Sequence, residues 1–163
     1  VGRLLIVLML IGSGLLKEPT LYLSLYFKSH RAEYYRLLDV VRKDGDWEAW
    51  LSFFLEGVEA TAKGAVDTVR RLRALVEHDQ QRVQSHGKKT GSTLRLLSAL
   101  SRRPLVTVRL AVEMTGLSQP TANVGLELLG TLGIVREITS RKRDRVFAYD
   151  QYLAILSEGT EPL

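Results

Sequence analysis

Between Thr107 and Tyr149 the local signals follow one another in an order that leaves few folds open. Val108, Leu110, Ala111, Val112 and Met114 have the spacing of a short apolar helix. Thr115-Gly116 stops it, because glycine takes the left-handed cap at no steric cost. Ser118 then offers its hydroxyl as the N-cap of a second helix, with Pro120 tolerated in the first turn. That helix, about 119–132, sets Ala122, Val124, Gly125, Leu126, Leu128, Leu129 and Leu132 on one apolar arc. Gln119, Asn123, Glu127 and Gly130 are left on a polar strip. Gly133 ends it.

Residues 134–139 alternate loosely like a strand, 140–144 form a charged turn, and 145–149 alternate again, so a β-hairpin follows the helix pair. Leu94, Leu97 and Leu100 predict an earlier helix over 93–101, and 105–107 suit a short strand paired to the hairpin's base. The string Leu117, Ser118, Thr121, Leu126, Leu129, Gly133, Ile134 and Val135 resembles winged-helix regulators of the multiple-antibiotic-resistance and arsenic-repressor kinds. The resemblance implies a winged helix-turn-helix whose hairpin is the wing.

Ahead of this region, apolar residues fall at 47, 50, 51, 54, 55, 58, 62, 65, 66, 69, 72 and 76, predicting one very long helix, or two nearly collinear ones, of more than 30 residues capped by Asp46. Its later half, 67–84, is a thin apolar seam flanked by charges, as in an interdomain arm or a dimerising helix. Residues 86–92, with two glycines and two lysines, read as a linker. The opening stretch, 4–16, is apolar nearly all round and so belongs in the middle of a helical domain. It falls short of the roughly 20 residues that span a bilayer, so no membrane partner is expected. Leu21 to Phe27 begin another apolar stretch, and Tyr34, Tyr35, Leu38 and Val41 continue at helical spacing.

The chain has no cysteine and three dispersed histidines, so thiolate chemistry is excluded and no metal is expected. A net charge of +5 favours an anionic partner. Val1-Gly2-Arg3, the apolar helix behind it, and Tyr22, Tyr34, Tyr35, Gly45, Asp46, Trp47, Trp50, Phe53 and Phe54 resemble the C-terminal part of a Fic-family domain. That resemblance implies protein adenylylation: transfer of AMP from magnesium-bound ATP to a hydroxyl of a target protein. By that resemblance Arg3 corresponds to the last arginine of the family's signature, the residue that meets the ATP γ-phosphate or an inhibitory glutamate. The signature's histidine, acidic residue and anion loop have no counterpart in residues 1–163, so catalysis by this stretch alone is not expected.

For the winged region, Ser118, Gln119, Thr121 and Asn123 are the candidates for base contacts. Arg141, Lys142, Arg143 and Arg145 of the wing are the candidates for phosphate contacts. The expected organisation is mostly α: 1–63 the helical end of a Fic domain, 64–89 a long helix and linker, 90–157 an α+β winged helix-turn-helix, 158–163 a disordered tail. The expected function is that of a cytoplasmic adenylyltransferase's C-terminal portion, using ATP and magnesium in the longer parent and binding duplex DNA as a homodimer. The alternative is a winged module for dimerisation or protein interaction without DNA.

Overall fold

The computed structural model describes residues 2–14, 23–87, 90–139 and 144–158. Among these the chain is mostly helical, with eight helices and one three-stranded antiparallel sheet. The helices are α1 (Gly2–Gly12), α2 (Leu23–Ser29), α3 (Arg31–Asp44), α4 (Trp47–Ser85), α5 (Thr90–Arg102), α6 (Val108–Thr115), α7 (Gln119–Thr131) and α8 (Asp150–Ser157). The strands are β1 (Leu105–Thr107), β2 (Arg136–Glu137) and β3 (Val146–Ala148). No helix of the described residues is long and apolar enough to cross a membrane. The chain divides into two compact units, Val1–Val69 and Arg70–Glu161.

In the first unit, Leu23, Phe27, Leu37 and Phe53 form the buried core, and Leu10, Tyr26, Tyr34, Trp50, Phe54 and Val58 pack on it. Gly57 lets α4 approach α2 closely, since a Cβ there would lie 2.6 Å from the Tyr26 ring. Gly45, at φ 68°, caps α3 with its N–H on the Val41 carbonyl, and Asp46 Oδ1 accepts the Glu48 and Ala49 amides at the start of α4. Two expectations need correction. Helix α1 is not buried all round: among its described side chains Leu5, Leu8 and Met9 are more than half exposed, while Leu10 packs on the core that α2, α3 and α4 supply. The inward side of α3 is Tyr34 and Leu37, while Tyr35 and Leu38 face solvent.

The second unit is built on α5, α6 and α7, which pack on one another over Leu96, Leu97, Leu100, Ala111, Ala122, Leu126 and Leu129. Gly125 is where α5 and α7 come closest, since an added Cβ would sit 2.3 Å from Leu96 Cδ1. The sheet runs β1-β3-β2, with Val106 opposite Phe147 and Glu137 opposite Phe147 on the other edge. The pairing of residues 105–107 with the hairpin's base is therefore present. The hairpin is shorter than the alternation implied, because Ile134 and Val135 are buried against the helices. Phe147, Ala148 and Tyr149 are buried in succession, as suits a middle strand covered on both faces.

The last part of α4 also contributes to this core. Val83 is buried, and Leu75 and Val76 pack against the same cluster, so this side of the apolar seam is covered by the unit itself. The linker is also shorter than 86–92: α5 begins at Thr90, whose hydroxyl donates to the Gly87 carbonyl, placing Thr90, Gly91 and Ser92 in its first turn. The tail beyond Glu158 lies outside the described residues.

Candidate nucleic-acid interface

Helices α6 and α7 are joined by a turn whose caps follow from its sequence. Thr107 Oγ1 accepts the Leu110 amide at the start of α6, and Gly116, at φ 67°, closes its end with an N–H to the Val112 carbonyl. Ser118 Oγ accepts the Thr121 amide at 3.4 Å and lies 2.8 Å from Thr121 Oγ1. Pro120 occupies the first turn, where no amide donor is needed.

With its inner side fixed by Ala122, Gly125, Leu126 and Leu129, α7 turns the opposite face outward. Gln119, Pro120, Val124, Glu127, Gly130 and Thr131 are exposed and Asn123 is half-buried. At about 100° per residue these positions fall within about 140° of arc. Gln119, Asn123 and Glu127 therefore share one surface. Thr121 does not join them: it lies on the flank toward α5, with its hydroxyl held by Ser118. Val124, expected inside, is 39% exposed because Leu96 and Thr93 close on Gly125 beside it. Neither Gln119 nor Asn123 has a side-chain hydrogen bond among the described residues, so both amides are available to a partner.

Of the four basic wing residues, Arg141, Lys142 and Arg143 lie outside the described residues. Arg145 is placed, and it is occupied. Its Nε donates to Glu137 Oε2 at 2.9 Å, its Nη1 donates to Glu127 Oε1 at 3.2 Å, and its guanidinium stacks 5.0 Å from the centre of the Phe147 ring. The hydrogen bond to Glu137 holds its pKa above the ordinary arginine value. The contact ties the start of β3 to α7, and the Arg145 guanidinium is shared between two carboxylates. Arg136 is likewise paired, with Asp150 at 2.6 Å.

A second feature was not indicated by the motif. Arg95, Ser98 and Arg102 of α5 line a cleft of about 250 Å³ with Met114 and Thr115 at the end of α6. The signal was present in the sequence, since residues seven apart lie two turns along the same helix face. It lay on the polar side of a helix whose leucines carried the fold.

Arg3, the residue that resemblance assigns to ATP, is in α1, and its side chain lies outside the described set. No group of three or more histidine, aspartate or glutamate side chains that could hold a metal occurs among the described residues. Compared with the models of known protein families, the chain matches none.

Proposed function

We propose that the Arg70–Glu161 unit is a winged-helix module that binds duplex DNA, with the N-terminal half of α7 laid in the major groove. The carrying observation is the outer face of α7, where two amide side chains with no hydrogen bond among the described residues, Gln119 and Asn123, follow a capped helix start. Glutamine and asparagine pair bidentately with adenine, so this face suits A·T-containing sites. Two copies bound as a homodimer would read half-sites about 34 Å apart. Residues 1–63, by their likeness to the Fic family, belong in this proposal to a protein adenylyltransferase. Its test is ATP-dependent labelling of protein by a chain that includes the signature histidine, abolished when that histidine is replaced.

The DNA proposal is tested by fluorescence anisotropy of labelled duplexes at 50 mM salt, first of random and then of selected sequence. Binding should be saturable and weaken as salt rises. Gln119→Ala and Asn123→Ala should each cost about 1–3 kcal/mol on the selected site and nothing on random duplex. Absence of any binding at low salt would remove the proposal.

One observation favours a second reading, a protein-interaction or dimerisation module without DNA: Arg145 is already paired, and Glu127 places a carboxylate on the outer face of α7. That reading expects a stable dimer with no affinity for duplex, which sedimentation of the chain with and without DNA separates from the first.

A further inference from the structure

The arginines of the second unit divide into two groups. Arg71, Arg73, Arg82, Arg136 and Arg145 each lie within ion-pair distance of a carboxylate. Arg70 of α4 and Arg95, Arg102, Arg103 and Arg109 have no such partner among the described residues, and the last four belong to α5, α6 or the segment between them. Over residues 90–115 they face a single acidic residue, Glu113, which does not line the cleft. Four of the five unpaired arginines of the described unit therefore lie on α5, α6 or the segment between them.

We infer that the cleft between α5 and α6, through Arg95, Ser98 and Arg102, binds phosphate groups of the DNA backbone next to the groove that α7 enters. The inference rests on the DNA-binding proposal and supplies the phosphate contacts that Arg145 is too occupied to make.

Three features fit the cleft to a backbone. At about 250 Å³ it is smaller than the usual small-molecule pocket of roughly 300–1,000 Å³, and Arg95, Ser98 and Arg102 are all exposed. It is an open trough that admits charged groups from outside without enclosing a ligand. Arg95 and Arg102 are separated by two turns, about 10 Å along α5, and their long side chains suit more than one phosphate of a strand. Ser98 lies between them with a hydroxyl that makes no hydrogen bond among the described residues.

Placement supplies the rest. Thr115, at the cleft's end, accepts the Leu117 amide, and the next residue, Ser118, caps α7. One turn before Arg95, Ser92 lines a neighbouring groove of about 280 Å³ with Pro120 and Thr121 of α7's first turn. The α5 row thus runs outward from the start of the reading helix. Contacts there fix position and register, while base contacts on α7 set sequence.

The test measures duplex binding by anisotropy from 50 to 200 mM salt for the chain, for Arg95→Ala/Arg102→Ala, and for Arg95→Lys/Arg102→Lys. Loss of two phosphate contacts should reduce the slope of log affinity against log salt by about 2 and weaken binding about tenfold or more at 50 mM, equally for selected and random duplex. The lysine variant should keep the slope, and both variants, altered only at exposed positions, should melt as the parent does. A double alanine variant with the parent's slope overturns the cleft assignment while leaving DNA binding intact. A parent chain that binds no duplex overturns both. Inorganic phosphate is the control: saturable shifts of the Arg95 and Ser98 resonances with phosphate but none with duplex would assign the cleft to a free phosphorylated ligand and overturn the backbone claim.

Discussion

Tyr149 donates its phenolic hydroxyl to Asp79 Oδ2 across 2.6 Å, and both residues are almost wholly buried. The other carboxylate oxygen accepts from Arg82 Nη1 at 2.9 Å, and Arg82 Nη2 donates to the carbonyl of Leu132, the cap of α7. Three elements therefore meet at one carboxylate: α4, the end of α7 and the residue after β3. A buried acid is tolerated because both its oxygens are used.

Replacing Asp79 with alanine should destabilise the second unit by about 2–3 kcal/mol, since a buried phenol and a guanidinium lose their acceptor together. Tyr149→Phe should cost only about 1 kcal/mol, because Arg82 still serves the carboxylate. Hydrogen exchange of the β3 and α7 amides reports this unit separately from the first. Equal protection in the parent and Asp79→Ala would show that the network holds nothing together.

The same contact gives a pH dependence of known sign. Burial first, then the hydrogen bond and charge of Asp79, push the Tyr149 hydroxyl well above the usual tyrosine range. A raised folded pKa means that the stabilisation is complete below the unfolded value of about 10 and is lost progressively as pH climbs above it. Urea unfolding followed at pH 8, 10 and 11 should show the parent losing stability faster than Tyr149→Phe over the last interval. Parallel losses would mean that Tyr149 does not carry the effect.

Helices and caps were legible because their signals are local. Asp46, Gly116 and Ser118 each act on amides or carbonyls within a few residues, so a linear reading places α4, α6 and α7 to within a residue or two. Arg145 was legible as a charge but not as a contact, since its partners Glu127 and Glu137 lie 18 and 8 residues away. The Asp79–Tyr149 bond spans 70 residues and had no local trace. The apolar spacing of α1 misled for a related reason: periodicity tells which side of a helix is apolar, not whether anything covers it.

Gly125 offers a test of the packing that aims α7. An alanine there would gain helix propensity worth about 1 kcal/mol but would bring its Cβ to 2.3 Å from Leu96 Cδ1 in a buried contact. The overlap should win, with a net loss of about 1–2 kcal/mol. The same substitution in a Leu96→Ala background, where the methyl is gone, should be neutral or stabilising. Additive effects in that double-mutant cycle would place the strain elsewhere.

Glu127 is the residue through which the DNA proposal makes its least obvious prediction. It adds a negative charge to the outer face of α7 and occupies one side of Arg145 at 3.2 Å. Glu127→Gln should therefore do two things at once: remove a repulsion toward phosphate and release part of a guanidinium. Duplex affinity at 50 mM salt should rise about fivefold, on the order of 1 kcal/mol, and the gain should shrink as salt screens it. Glu137 remains to hold Arg145 at 2.9 Å, so the hairpin should keep its place and the melting temperature should change little. If Glu127→Gln left affinity untouched while Gln119→Ala lowered it, α7 would be reading bases with this end of the helix turned away from the phosphates. If the substitution weakened binding, Glu127 would itself be a contact, accepting from a cytosine amino group in the groove.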